Sequence, residues 1–130
     1  MNKTLAILLF ALVLGFTAKA QKTEVLYFKA DLACCRARAC NALESDLKRI
    51  IESNFNDGKV QFTSVRISSA ANTALVEKYN ARSQTVVIVN THGQTETSKD
   101  ISDMVRNYSR TRDRANFQKD LLAKISENAK

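Results

Sequence analysis

Residues 23–40 read TEVLYFKADLACCRARAC, a strand-like run followed by every cysteine in the chain. Residues 25–28 are β-branched, apolar or aromatic, which is typical of a strand, and we expect Tyr27 and Phe28 to be core residues. Cys34, Cys35 and Cys40 are too close in sequence to form a disulfide framework spread across a fold. The sequence therefore predicts one local thiol site at a strand-to-helix junction.

The rest of the chain alternates between strand-like and helix-like patterns. Apolar residues at three- and four-residue spacing predict a helix over residues 35–54, with one buried stripe formed by Cys40, Leu43, Leu47, Ile50 and Ile51. Further helices are predicted over residues 70–79 and 101–108 and near the C-terminus, where Phe117, Leu121, Leu122 and Ile125 form a stripe. In the helix over residues 70–79, the side chains expected to face the core are Ala74, Leu75 and Tyr79.

Strands are predicted over residues 23–29, 60–67 and 85–89, with a weak edge strand over 95–98 after a hairpin turn. The continuous apolar run of residues 85–89 indicates a strand covered on both faces. The order β-α-β-α-β-β-α predicts an α/β fold in which helical crossovers give parallel pairing and the last hairpin is antiparallel. In such sheets functional groups collect at the carboxyl ends of strands, where the cysteines lie.

Several segments together resemble the thioredoxin-like superfamily. They are the strand of residues 25–28, the cysteine turn and its helix, residues 57–60 (DGKV) and residues 84–89 (QTVVIV). The chain is most similar to the ArsF-type group of small thioredoxin-like proteins, which also end in a charged segment and a terminal helix. The resemblance implies a thioredoxin-like three-layer fold with an extra C-terminal helix over residues 21–130.

The chain departs from the usual pattern of that superfamily at two points. Ala37 stands three residues after Cys34, so the usual Cys-x-x-Cys spacing is missing. The sequence contains no proline, so Gln84 or Thr85 takes the place of the proline that flanks a thioredoxin active site.

The pattern Cys-Cys-x-x-x-x-Cys resembles the arsenical-resistance metallochaperones of the ArsD type. Carried over to this sequence, Cys34, Cys35 and Cys40 match the three cysteines that hold trivalent arsenic or antimony in those proteins. Thiolates prefer soft ions, and copper(I) also accepts two or three of them. Zinc generally needs four ligands in a structural site, and the one histidine, His92, is far along the chain. The resemblance implies a metalloid site and a metalloid-handling partner.

Other interpretations stay open. In the first, Cys34 is the attacking thiolate of a thiol-disulfide oxidoreductase, with Cys35 or Cys40 as the resolving cysteine and a thiol-redox protein as partner. Arg36 and Arg38 then favour the thiolate, or they are an ordinary solvated face. Cys40 also continues the apolar stripe and is alternatively a small buried hydrophobe. In the last, the chain is an interaction module with incidental thiols.

Residues 1–20 have the pattern of a cleavable signal peptide. Lys3 precedes an apolar stretch over residues 5–16, and Ala18-Lys19-Ala20 is an A-x-A cleavage signal, so we expect Gln21 to open the mature chain. The stretch is shorter than the roughly 20 residues of a membrane span, and the alternative is an uncleaved anchor. The sequence thus predicts a periplasmic or secreted protein with no stable membrane insertion after cleavage.

The charge of the chain does not indicate a nucleic-acid partner. Its 20 basic and 13 acidic residues give a net charge of +7, but the charges are spread along the sequence. Nucleic-acid binding would need a basic face with aromatic or groove-reading elements, so we expect none.

Overall fold

The computed structural model describes residues 21–31 and 34–130, with the side chains of residues 34–36 outside the described part. Strand β1 (Lys22–Lys29), helix α1 (Cys34–Asn54) and strand β2 (Val60–Arg66) come first. A 3₁₀ turn (Ala70–Asn72) leads into helix α2 (Thr73–Lys78) and the hairpin of β3 (Val86–His92) and β4 (Thr95–Asp100). Helices α3 (Ser102–Thr111) and α4 (Arg114–Asn128) complete the order.

The four strands form one mixed sheet in the order β2-β1-β3-β4. Strand β1 pairs with β2 in parallel, with Lys29 opposite Arg66, and with β3 in antiparallel. Strand β4 is antiparallel to β3. This connectivity confirms the predicted thioredoxin-like α/β fold, with α4 as the extra C-terminal helix.

Helices cover the sheet unequally, and this gives three layers. Helices α1, α3 and α4 pack on what we call the thick face, where the core cluster contains fifteen buried residues. Six buried residues form the cluster on the opposite, thin face, against which Leu75 and Val76 of α2 pack. Strand β3 contributes Val86 and Ile88 to the thick face, and Val87 and Val89 to the thin face. The prediction that this strand is buried on both sides is therefore confirmed.

Helix α2 differs from its prediction. Leu75 and Tyr79 pack against the thin-face cluster, but Ala74 is exposed, so the expectation that it faces the core was wrong. The first turn of the predicted helix is a 3₁₀ turn, which has three residues per turn rather than 3.6. Val76 packs inward instead, because it lies three residues before Tyr79 on the same face of the α-helix, whereas Ala74 lies roughly 140° around the helix from Tyr79.

Strand β4 lies at the edge of the sheet, as the sequence predicted, and all six of its residues are exposed. Gly93, in the two-residue connection before it, has φ of +63°, a conformation that glycine adopts without steric cost. The polar sequence TETSKD makes this exposed edge a poor template for pairing with another chain.

Within residues 21–31 and 34–130, no helix is both long and apolar enough to cross a bilayer. The signal peptide predicted over residues 1–20 lies outside the described residues. Cleavage and export therefore stay predictions.

Candidate functional site

The three cysteines lie at the start of α1, which follows the carboxyl end of β1. Helix α1 begins at Cys34, and the side chains of Cys34 and Cys35 lie outside the described residues. In a helix that is regular from Cys34, the Cα atom of Cys40 is roughly 8.5–10 Å from those of Cys35 and Cys34. A disulfide needs Cα atoms closer than about 7 Å. A direct bond to Cys40 therefore requires the beginning of α1 to open.

Cys40 is the cysteine whose surroundings are described. Its side chain is 7% exposed and continues the buried stripe of Leu43 and Leu47, as the helical spacing predicted. It forms no disulfide with any described residue. Its sulfur Sγ accepts a hydrogen bond from Nε2 of Gln84 at 3.2 Å, and its carbonyl oxygen accepts one from the hydroxyl of Tyr27 at 3.2 Å.

An open groove of about 260 Å³ reaches Cys40 from the carboxyl ends of β1 and β2. These strands are parallel, so their carboxyl ends meet at the same edge of the sheet. Residues that line this thiol groove include Lys29, Asp31, Ala37, Cys40, Asn41 and Arg66. Arg66 and Asp31 form an exposed ion pair, with Nε and Oδ1 3.6 Å apart. Cys40 is thus a packed residue that also borders an opening in the surface.

Tyr27 belongs to both the core and the site. It is fully buried, and its hydroxyl donates to the carbonyl oxygen of Cys40. Burial raises the pKa of Tyr27 well above its ordinary value, and the neighbouring Cys40 and Glu44 raise it further. The phenol therefore stays protonated and continues to donate its hydrogen bond to the carbonyl oxygen of Cys40.

Glu44 lies one helical turn after Cys40 and pairs with Lys29, with Nζ and Oε2 2.8 Å apart. Burial acts to raise the pKa of Glu44, but hydrogen bonds with Lys29 and Ser64 outweigh it and hold that pKa below its ordinary value. Glu44 is therefore an anion at neutral pH. Sequence reasoning missed the pair because its members are fifteen residues apart on different elements, where no local spacing connects them.

The sequence analysis named Gln84 only as one of two residues in the place of the missing proline. Its backbone N–H donates to the carbonyl of Phe28 at 2.9 Å, and the N–H of Phe28 donates to the carbonyl of Thr85 at 2.9 Å. These bonds fasten the segment before β3 to the end of β1, beside Cys40. Of the two residues expected in the place of the missing proline, Gln84 has the side chain that contacts the Cys40 sulfur.

Within the described part of the chain, no three His, Cys, Asp or Glu side chains come together as a metal site. His92 is exposed at the end of β3, next to Thr91, which pairs with Lys22 at the start of β1. Cys40 lies near the opposite end of β1, so His92 is not close to it. Any metal or metalloid site at the thiols must therefore include the cysteine side chains at the start of α1.

Comparison with known proteins gives matches among solved structures. A malarial protein matches at 20% identity and a TM-score of 0.40, over 61% of this chain and 80% of its own. Thioredoxin-2, a component of malaria parasite protein secretion machinery, matches at 20% identity and a TM-score of 0.42, over 62% of this chain and 70% of its own. A thioredoxin from Thermus thermophilus matches at 14% identity and a TM-score of 0.38, over 62% of this chain and 58% of its own. No protein-family model and no curated protein matches the chain.

The chain has a thioredoxin-like fold. All three identities are at most 20%, and all three TM-scores are below 0.5. The assignment therefore rests on the strand order β2-β1-β3-β4 and the strand directions. In this fold, helix α1 begins with Cys34 after the carboxyl end of β1.

Proposed function

We propose that the chain is an exported thioredoxin-like thiol protein that takes up a soft metal or metalloid ion, of the trivalent arsenic type, through Cys34, Cys35 and Cys40. The position of Cys40 carries this proposal. Its thiol is packed against the core and yet borders the thiol groove at the end of β1, the end at which α1 begins with Cys34 and Cys35. As ligands, such a set of thiolates prefers soft, thiophilic ions.

Coordination by all three sulfurs requires the beginning of α1 to open, because Cys40 is too far from Cys34 and Cys35 along a regular helix. This opening is favoured by the sequence of the first turn, which contains no acidic residue. Arg36 instead adds positive charge to a helix end that is already positive. The rest of α1 stays in place through its buried stripe of Leu43, Leu47, Ile50 and Ile51.

The uptake step is a ligand exchange. Each thiol that binds arsenous acid forms a sulfur–arsenic bond and gives its proton to the hydroxyl group that leaves as water. No electrons are transferred, so the step needs neither an oxidant nor a reductant. An oxidised chain would not react in this way, and uptake therefore requires reduced thiols.

Titration of the reduced chain with arsenite, followed by native mass spectrometry, tests this proposal. We expect one arsenic per chain and at least a tenfold weaker affinity after Cys34→Ser, Cys35→Ser or Cys40→Ser, because each substitution removes one of three ligands. Ala42→Ser, an exposed substitution on the same helix, is the control and should bind normally. Unchanged binding in both Cys34→Ser and Cys40→Ser would contradict the three-thiol site.

Export is tested by the mass of the protein recovered from outside the cytoplasm. We expect a chain that begins at Gln21, because the residues before it match a signal peptidase site. Recovery only of a chain that retains residues 1–20 would argue for an anchor instead of a cleaved signal.

A second candidate function is thiol-disulfide exchange, which the hydrogen bond from Gln84 to the Cys40 sulfur favours because it holds the sulfur of a candidate resolving cysteine in one orientation. The Cys34 thiolate would attack one sulfur of a partner disulfide and release the other as a thiolate. Attack on Cys34 by Cys35 or Cys40 would then release the second partner thiol and leave an intramolecular disulfide.

Trapping of a mixed disulfide distinguishes thiol-disulfide exchange from metalloid uptake. With the resolving cysteine replaced by serine, a mixed disulfide to Cys34 should accumulate, whereas Cys34→Ser should give none. Failure of the parent chain to form an intramolecular disulfide under mild oxidant would exclude exchange and leave metalloid uptake untouched.

A further inference from the structure

Gln84 has an unusual backbone conformation for its residue type. Its φ is +67°, and it is the third residue of a β-turn closed by a hydrogen bond from the N–H of Thr85 to the carbonyl of Arg82 at 3.0 Å. A positive φ at this turn position favours glycine or asparagine, because a side-chain Cβ is crowded there. Glutamine is neither, so the backbone at Gln84 is strained.

Two other non-glycine residues in the described part of the chain have a positive φ, and both have a local reason. Asn80 follows the end of α2 with φ of +46°, and Arg112 is the C-cap of α3 with φ of +57°. A left-handed residue after the last helical turn is a common way to end a helix. Gln84 ends no helix, so its conformation needs another explanation.

The backbone bonds of Gln84 do not supply that explanation. The N–H bond to Phe28 and the closing bond of the turn involve only main-chain atoms, which glycine would provide without strain. Among the described residues, the one contact that requires glutamine is the bond from Nε2 to Sγ of Cys40 at 3.2 Å. Gln84 also borders a second open groove, which Arg106 and Arg110 of α3 line.

We propose that Gln84 is the positioning residue of Cys40, and that its strained backbone is retained because it places the side-chain amide on the Cys40 sulfur. The amide holds the sulfur in one orientation beside the thiol groove, where the proposed function requires it. This inference deepens the proposed function and rests on it, since it assigns a role at the same thiol.

The proposal predicts that stability and thiol chemistry respond separately to substitution. Gln84→Gly relieves the strain but removes the amide, so the melting temperature should equal or exceed that of the parent. Gln84→Met keeps the length and the strain but has no donor. In both variants the sulfur loses its hydrogen bond, and the S–H stretching band of Cys40 should shift.

The experiment uses the full chain with Cys34→Ser and Cys35→Ser, in which Cys40 is the single thiol. Thermal unfolding, the Raman S–H band and the rate of alkylation by iodoacetamide are measured on each variant. Gln84→Met should slow alkylation roughly fivefold, because the hydrogen bond that holds the sulfur in one orientation is lost. Asn80→Gly is the matched control, because it relieves a positive φ elsewhere and should leave band and rate unchanged.

Two results would overturn the positioning role. One is an S–H band and an alkylation rate that stay at parental values in Gln84→Met. The other is a Gln84→Gly chain that melts well below the parent, which would make the side chain a structural support. Neither readout involves arsenite or a partner disulfide, so failure of the proposed function, seen as no uptake by the three-cysteine chain, is distinguishable from both.

Discussion

The first turn of α1 and the body of the same helix differ in what holds them in place. The body has four side chains at most 2% exposed, and its Asp46 accepts a hydrogen bond from the hydroxyl of Tyr108 on α3 at 2.7 Å. The first turn carries Cys34 and Cys35, has no acidic residue and includes Arg36 at the positive end of the helix dipole. The body of α1 is therefore anchored by burial and a tertiary hydrogen bond, whereas the sequence of the first turn offers no acidic partner for the helix dipole.

The largest expected effect comes from breaking the body of α1. Leu47 is fully buried in the thick face, and Leu47→Ala should lower the free energy of unfolding by about 3 kcal/mol through lost burial and the cavity left behind. Urea denaturation measures the change, with the exposed Ser45→Ala as a control that should stay within about 0.5 kcal/mol. An equally small effect at Leu47 would mean that the body is not what anchors the helix.

Glu44, between the two regions, gives the next largest effect. Glu44→Gln removes the ion pair with Lys29, whose side chains are only 26% and 21% exposed, and should lower stability by about 1 kcal/mol at neutral pH. Because the folded pKa of Glu44 lies below its ordinary 4.5, this stabilisation is present above that pH. It disappears as the pH falls through the lowered folded value.

The pH dependence supplies the check on Glu44. Parent and Glu44→Gln stabilities should converge on acidification below pH 4.5, as followed by urea denaturation at several pH values. Glu77→Gln, at an exposed position on α2, is the matched control and should leave the pH profile of stability in place. A constant difference between parent and Glu44→Gln at all pH values would show that the pair with Lys29 is not the cause.

Much of the fold could be predicted because its signals are local. The stripe from Cys40 to Ile51 predicted α1 and its buried face, and the run of residues 85–89 predicted the doubly covered β3. The error at Ala74 concerned the face of α2: Leu75, Val76 and Tyr79 share one face at three- and four-residue spacing, and Ala74 does not.

The site was predicted less completely, because its supporting contacts join distant parts of the chain. The cysteines were found from their spacing, but the bond between Gln84 and Cys40 spans 44 residues. Its geometry depends on how the turn before β3 is fastened to the end of β1, which no local pattern encodes. The pair of Lys29 and Glu44 is missed for the same reason, since strand and helix periods do not relate its members.

The smallest effect is expected from glycine substitutions that compare the two regions of α1 directly. Ala39 and Ala42 are both exposed on α1, on either side of Cys40, and glycine at either position should cost about 1 kcal/mol of helix stability. If arsenite uptake requires the segment between Cys35 and Cys40 to open, Ala39→Gly makes the opening easier and should strengthen binding up to about fivefold. Ala42→Gly loosens the helix beyond the thiols and should destabilise the chain without that gain. Equal affinities in the two variants, measured by arsenite titration, would mean that the thiols bind without unwinding the start of the helix.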